Sequence, residues 1–473
     1  MPSFPPPSPY RAQPAILELG DDFHDPVTPA DFPRTRLRFR NRRWAPAVGL
    51  GELSDEEWLR HFGRFEPLPG NLPEPLALRY HGHQFRSYNP DIGDGRGFLF
   101  AQLRDGAKED GGRLLDLGTK GSGRTPWSRF GDGRLTLKGG VREVLATEML
   151  EALGVETSKS FSLIETGEAL DRNDEPSPTR SAVLVRLQHS HIRIGTFQRL
   201  AYLQEPGNLA KLTDYCLRHY YGDEGGGDDA PARLLAHVAR EAARLAASYI
   251  AAGFVHGVLN SDNIAITAQS FDYGPWRFTP YWDGHFTAAY FDHSGLYAFG
   301  RQPEAIHWNL LQLAASLRTI AEADDLNPSL DAFPPEFQKR LVEAIFARLG
   351  ITPAGDDRDT GLLVALETAL AAKTVTLDRF FFDWRGGRRR GPSPADEVYE
   401  SDAFAGFRQS VAQYDSVAGA IDHDYWSDEA PCSMHIDEVE AIWSRIDEAD
   451  DWAPFDVKIG AIRRMGEAMR GSA

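Results

Sequence analysis

The chain has 473 residues and a formal net charge of −18, with 42% hydrophobic and 11% aromatic residues. That length holds two or three domains or one large two-lobed unit, and the composition supports a substantial core and excludes global disorder. The acidic balance argues against broad binding to nucleic acid or anionic membranes, so neither is an expected partner. Two cysteines, Cys216 and Cys432, lie far apart without metal-ligand spacing, which points to a reducing, cytoplasmic setting. No apolar run approaches the roughly 18 residues of a membrane span.

Residues 1–30 begin MPSFPPPSPYRAQP, a proline-rich stretch without an apolar leader core, and read as an extended or disordered tail. A β-rich lobe is expected over residues 31–205. It starts with Arg34, Arg36, Arg38, Arg40, Arg42 and Arg43, where Leu37 and Phe39 alternate with the arginines. That period is a half-buried strand whose basic face docks on acidic neighbours, in preference to a phosphate-contacting arm. Ser54 with Glu57 three residues later predicts a capping box and a short helix. His81 and His83 in HGHQF have no third ligand nearby in the sequence, so structural contacts are expected of them before zinc.

The segment PDIGDGRG places Gly93, Gly95 and Arg96 in a turn ahead of a strand over residues 98–103. A polar turn, RDGAKEDGG, leads to a second strand over residues 114–119, ending at Lys120. Glycines let backbone N–H groups approach phosphate oxygens, and lysine adds a point charge for them. A second glycine- and arginine-rich loop, GSGRTPWSRFGDG, turns at Asp132 and Gly133. Helix signal resumes near Gly140, with Val141, Leu145 and Met149 on one stripe. Glu143 points off that stripe, where it is either solvated or paired with Lys120. Residues 160–200 read as β-rich, with a strand over 182–187. Arg186 interrupts its apolar run and Arg193 follows, an arrangement that suits an anion pocket.

A helical lobe is expected over residues 206–390. GDEGGGDDAP is an acidic linker ending in an N-cap and Pro231 near a helix start. Apolar spacing then runs to Ala252, with Gly253 as the stop. Further amphipathic helices follow over Ile306, Leu310, Leu313, Leu317 and Ile320, and over Leu341, Ile345 and Leu349 up to Gly350. RGGRRR at residues 385–390 reads as a solvated link, and residues 391–473 as an acidic C-terminal extension.

The chemistry concentrates in VHGVLNSDNIAITAQSFDYG at residues 255–274. Asp262 and Asn263 precede a short apolar run, and Asp272 follows it. Carboxylate and amide oxygens converging there suit Mg²⁺ or Mn²⁺. A glycine turn, strand lysine and helix glutamate followed by an Asn and Asp pair make up the parts of a protein kinase. Asp272-Tyr273-Gly274 stands where the kinase D-F-G would be. Val258 stands where the catalytic aspartate would be, five residues before Asn263. The fold class expected is therefore α+β, a kinase-like two-lobed fold with N- and C-terminal extensions.

The combination of HGHQF, GDGRG, LGTKGSGRTPWSRFGDGR, VREVLATEML, AVLVRLQHSHIRIGTF, GFVHGVLNSDNIAI, FDYGP, YAFGRQP and WNLLQLA resembles the selenoprotein O family of kinase-fold proteins, whose bacterial members include the YdiU proteins. The resemblance implies binding of ATP in a flipped orientation and transfer of AMP to Ser, Thr or Tyr hydroxyls of proteins. It implies Asp262 as general base and Asn263 with Asp272 as ligands of Mg²⁺ (or Mn²⁺). It implies Lys120, paired with Glu143, on the phosphates, and Gly93, Gly95 and Arg96 as glycine-loop contacts. Asp132, Gly133, Arg186 and Arg193 would complete the nucleotide pocket. UMP transfer from UTP, and a nucleotide-binding scaffold without turnover, are the alternative readings. Residues after about 390 match the family's pattern poorly. Phe291 and Asp292 stand where the family often carries a cysteine, and the C-terminal MRGSA lacks one. Disulfide regulation is accordingly not expected, and a monomer is.

Overall fold

The computed structural model describes residues 6–106, 112–173 and 175–471. In the N-lobe, β1 (His24–Pro26), β2 (Arg36–Arg40), α1 (Asp55–Gly63), β3 (Leu76–Leu78), β4 (Gly82–Gln84), β5 (Ser87–Asn89), β6 (Leu99–Arg104) and β7 (Leu114–Lys120) come first. They are followed by β8 (Leu135–Thr136), α2 (Leu137–Ala152), β9 (Lys159–Leu170), β10 (Thr179–Gln188) and α3 (Ile194–Tyr202). The helical lobe begins with α4 (Pro206–Cys216), α5 (Ala230–Ala252), β11 (Phe254–Val255), β12 (Arg277–Phe278) and α6 (Gln302–Leu317). It continues with α7 (Ala323–Asp331), α8 (Phe333–Leu349), α9 (Asp357–Leu370) and α10 (Leu377–Asp383). Beyond residue 390 lie α11 (Asp396–Tyr399), α12 (Ala405–Val411), α13 (Ile436–Ala449) and α14 (Ala453–Arg470).

The architecture is the expected α+β, kinase-like two-lobed fold. The N-lobe is one antiparallel sheet in the order β1-β3-β6-β7-β10-β9-β2, with β8 against β10. Side chains alternate across it. Phe98, Phe100, Leu115, Leu117, Val183 and Val185 face a core built on Trp58 and Phe62 of α1. Leu99, Leu114, Ala182 and Leu184 face α2 and merge with the core of the helical lobe. Because both faces are covered, the strands read as continuous apolar runs, and the charges within them stand out. Lys120 and Arg186 share the strand parity of Leu114 and Leu184, so both project to the α2 side. The capping box at Ser54 forms as its spacing predicts.

Four expectations need correction. Within the segment expected to be a tail, residues 15–26 are not free: Ala15, Ile16, Leu19 and Phe23 are buried, and β1 pairs with β3. The supposed β region near 194 is helical, since Ile194, Phe197 and Leu200 turn inward at helical spacing as α3. Asp229 makes no side-chain cap at the start of α5. RGGRRR is not a solvated link. Arg385 is 3% exposed and donates to the carbonyls of Ala347, Arg348, Ala420 and Met469 at 2.6–3.1 Å. It thereby satisfies the last-turn carbonyls of α8 and α14, where helix dipoles favour a cation. No carboxylate pairs with it among the described residues, and burial pulls its guanidinium down to about 10. The turn at residues 107–111 lies outside the described residues.

The C-terminal extension closes back on the N-lobe. Gly466 of α14 sits where a Cβ would come within 3.1 Å of Ala152 on α2, so the two helices pack at small-residue distance. Arg463 grips Glu148 of α2 through two bonds of 2.8 and 2.9 Å, and Lys138 of α2 reaches Glu440 of α13 at 2.7 Å. Asp450, in the left-handed region between α13 and α14, binds Arg36, Arg38 and Arg180 at 2.7–2.9 Å. The basic strand face therefore does dock on acidic neighbours, one of them, Asp450, supplied from the far end of the chain.

Replacing Arg385 with alanine strips partners from four carbonyls and opens a void. Urea denaturation is expected to show a loss of about 2–4 kcal/mol, whereas a change within 0.5 kcal/mol of zero would mean that residues 385–390 behave as surface.

Candidate active site

Between the lobes lies a cleft of about 880 Å³. Gly93, Gly95, Arg96, Asp132, Gly133, Asp262, Asn263 and Asp272 all line it, with Tyr80, Gln84, Trp127, Arg129 and Arg172 among their neighbours. The glycine turn is held by the second loop. A Cβ on Gly93 would fall 2.6 Å from the Trp127 ring, and Trp127 is itself fixed by an Nε1 bond of 2.9 Å to Asp25. Ser128 Oγ donates to the Gly95 carbonyl at 2.5 Å. The two loops expected to act separately thus form one wall.

Lys120 emerges at the end of β7 and is buried between two carboxylates. Its Nζ bonds Glu143 of α2 and stands 2.7 Å from Asp272 Oδ1. Arg186 reaches the same Asp272 oxygen at 3.3 Å. Enclosure alone would raise the Asp272 carboxyl, but Lys120, Arg186 and Arg96 together hold it well below the usual carboxylate range. Asp272 takes φ 64°, a left-handed conformation that aspartate tolerates better than most residues. Glu143 is where the off-stripe position put it, turned from the helix core toward the strand lysine.

Arg193 sits differently from the expectation. It is buried behind the cleft wall, donating to Asp94 Oδ1 at 2.9 Å and to the Asp262 carbonyl at 3.0 Å, and stacking over Tyr80. It ties the glycine turn to the Asp262 loop. Asp132 pairs with Arg172 at 2.7 Å and accepts the Arg134 N–H. Arg96 and Arg129 have no carboxylate partner among the described residues.

Asp262 has the opposite surroundings to Asp272. Its Oδ1 is buried without a hydrogen-bond partner among the described residues, and Gln84 and its own backbone only partly offset the burial of the carboxyl. Burial pushes the carboxyl up to about 6, with Arg193 opposing the rise. The loop that carries it is braced by side chains with no motif signature. Asn309 and Gln302 of α6 donate to the carbonyls of Leu259 and Phe254 at 2.8 and 2.7 Å, and Gln198 of α3 accepts from Ser261 at 2.5 Å. His256 Nε2 donates to the Phe271 carbonyl at 2.9 Å, and Tyr273 OH bonds Ser270 at 2.7 Å. Asn263 Nδ2 donates to the Val258 carbonyl at 3.1 Å, which leaves its amide oxygen for another partner. His81 and His83 engage Tyr88 and Gln198, as structural contacts should.

A curled sheet closed onto one helix by a lysine–glutamate pair, facing a helical lobe across a polar cleft, places the protein in the kinase-like class. The profile of the family described as protein adenylyltransferase SelO matches residues 9–463. The protein nucleotidyltransferase YdiU of Gloeobacter violaceus is 43% identical over 467 residues, covering 96% of this chain and 95% of its own length. That of Trichormus variabilis is 40% identical over 474 residues, with 96% of each chain covered. That of Synechococcus elongatus is 50% identical over 340 residues, covering 72% of this chain and 68% of its own. The chain belongs to the SelO family of protein nucleotidyltransferases, and it is an enzyme of that class. The match runs through the C-terminal extension, which corrects the expectation that likeness to the family fades after residue 390. No helix among the described residues is long and apolar enough to cross a membrane.

Substituting Lys120 with methionine leaves Glu143, which is 1% exposed at its side chain, beside Asp272 without the shared cation. The expected loss at pH 7 is about 3–5 kcal/mol, measured by urea denaturation. Retention of full stability would show that the pair is dispensable to the fold.

Proposed function

We propose that this protein transfers the AMP moiety of ATP to Ser, Thr or Tyr hydroxyls of proteins in the cytoplasm, with a divalent cation, and acts as a monomer. The observation that carries the reading is Asp262, a cleft carboxylate with an unpartnered oxygen poised near neutrality, on a loop whose kinase-base position is the apolar Val258. A general base works best when its pKa lies near the operating pH. In the reaction, the acceptor oxygen attacks the α-phosphorus as its proton passes to Asp262. The bond from that phosphorus to the bridging oxygen breaks, and pyrophosphate leaves.

Charge placement supports the same reading. Arg96 and Arg129 make no ion pair within 4.0 Å among the described residues, Arg96 acting on Asp272 only at longer range, and both would receive the triphosphate's negative charge. Lys120 and Arg186 stand behind Asp272, within reach of a phosphate oxygen that took over part of their pairing. Gly93 and Gly95 allow close backbone approach, and Arg193 keeps that turn in register with Asp262. Asp132 and Gly133, on the loop that braces this turn, line the same cleft.

Asn263 and Asp272 would hold Mg²⁺ or Mn²⁺, and the residues fit such an ion. One amide oxygen is uncommitted and one carboxylate is held ionised, both on the cleft wall. Among the described residues no three His, Cys, Asp or Glu side chains converge. A hard cation that takes its remaining ligands from phosphate and water is consistent with so sparse a set. When bound, the ion would neutralise phosphate charge and polarise the reacting group.

Incubation with α-³²P-ATP should label protein, and intact-mass spectrometry after ATP or UTP should identify the transferred group. Labelling from γ-³²P-ATP alone would overturn nucleotidyl transfer. Asp262→Ala should lower kcat by about 10²- to 10⁴-fold. Because the base must be deprotonated, the wild-type rate should fall about tenfold per pH unit below about 6; a flat profile down to pH 5 would remove Asp262 from the role. Asp272→Ala should abolish metal-dependent activity while the thermal melt stays cooperative, and unaltered activity at saturating Mg²⁺ would refute the metal assignment.

A further inference from the structure

The HGHQF motif has no role in the chemistry above, yet it is fastened to the residues that carry it. The β4–β5 hairpin reverses at Phe85 and Arg86, which take φ 49° and 63° without a glycine in the turn. Hairpins that need this conformation usually take Asn-Gly or Gly. Here a large aromatic occupies a backbone state that disfavours it, and the hairpin is held by bonds to the Asp262 loop. The Phe85 N–H donates to Asn260 Oδ1 at 3.0 Å, and the His83 N–H to Ser261 Oγ at 2.7 Å.

A second loop meets it. Asp292 is buried and accepts the N–H groups of Leu296 and Tyr297 at 2.8 Å each. That anchor fixes the loop's course and presents the two preceding residues outward. Phe291 packs edge-on to Phe85 with centroids 5.8 Å apart, and Tyr290 lies 5.1 Å from Phe291. Tyr297 supports Phe85 from beneath at 5.0 Å, and its hydroxyl shares Asn260 Oδ1. The resulting patch stays open to solvent: Phe85 is 37% exposed, Phe291 42% and Tyr290 82%. Clustered exposed aromatics are costly on a soluble surface and are enriched where partners bind.

We infer that Phe85, Tyr290 and Phe291 seat the acceptor protein by an apolar side chain lying within a residue or two of the hydroxyl to be modified. The inference rests on Asp262 being the base of the transfer reaction. Its position on the cleft decides the occupant. Arg96 and Arg129 make one side of the cleft cationic and suited to a polyphosphate. Gln84, one residue before Phe85, lines the same cleft as Asp262, so a chain whose hydroxyl reaches Asp262 from this rim crosses the patch. The two charges adjoining the patch are already engaged, Arg86 with Glu304 at 2.9 Å and Asp292 with backbone N–H groups, so the rim selects for apolar character and not for charge.

The test uses the full chain, α-³²P-ATP, Mg²⁺ and acceptor peptides with one hydroxyl, flanked at each nearby position by Leu, Phe, Gly or Lys. Wild-type kcat/KM should be at least tenfold higher with Leu or Phe at one flanking position than with Gly. The Tyr290→Ser/Phe291→Ser double variant, and separately Phe85→Ala, should raise KM about tenfold for the apolar peptide. Both should leave the Gly-flanked peptide, KM for ATP and the ATP-induced thermal shift unchanged. Absence of a flanking preference in the wild type, or a preference that survives both variants, overturns the patch. An equal loss on all peptides with a changed ATP KM also overturns it, by making the aromatics structural. No label in any wild-type reaction, with the ATP-induced shift retained, overturns the transfer reading itself and the patch with it.

Discussion

A lysine can be buried only where carboxylates surround it, and a buried glutamate only where a cation does. Lys120 and Glu143 meet both conditions for each other, one at the end of a central strand and one on α2. Their pairing fixes how far the sheet stands from its helix. It also sets the cleft wall, because Asp272 shares the same ammonium at 2.7 Å. Displacing α2 would leave the buried Glu143 without its cation, and the helix is held from several sides. Arg463, Lys138 and the close approach at Gly466 hold it from the C-terminal side, while Arg43 reaches Glu148 and Glu151 from the basic segment after β2.

The site works through contrast between two aspartates on neighbouring loops. Asp272 is surrounded by cations and stays ionised, as a residue that stabilises positive charge must. Asp262 has lost water without gaining a full partner and holds its proton more readily. Under the proposed function, this separation of two carboxyl groups by environment gives an anchor and a proton acceptor in the same cleft. Arg193 touches both halves of this arrangement through Asp94 and the Asp262 carbonyl.

What the sequence made legible follows from periodicity and from spacing. Short apolar runs bounded by polar turns located β6, β7 and β10, and a lone arginine in an apolar run marked Arg186, since little but an anion justifies one there. Glu143 was ambiguous by its own helix, because an off-stripe position suits solvent and a buried partner equally; only the approach of β7 decides it. The segments misread are those whose burial comes from distant chain. Ala15, Ile16 and Leu19 sit in proline-rich sequence that carries no period, and they are covered by α4 and the sheet. Arg385 looked like surface because three arginines and two glycines follow closely, yet its acceptors are carbonyls from three separate places in the chain. Backbone acceptors leave no trace in side-chain patterns. The same holds for Asn309, Gln302 and Gln198, whose amides brace the Asp262 loop through carbonyl and hydroxyl groups.

The clamp on α2 also has a consequence in time. Arg463 is translated 315 residues after its partner Glu148. A nascent chain therefore exposes the sheet, the glycine turn and the Asp262 loop to the cell before the helices that hold α2 have left the ribosome. Until α14 emerges, α2 lacks the clamp that Arg463 places on Glu148. This order of assembly leaves the bracing of α2, and with it the cleft wall built on Lys120 and Glu143, to be completed last.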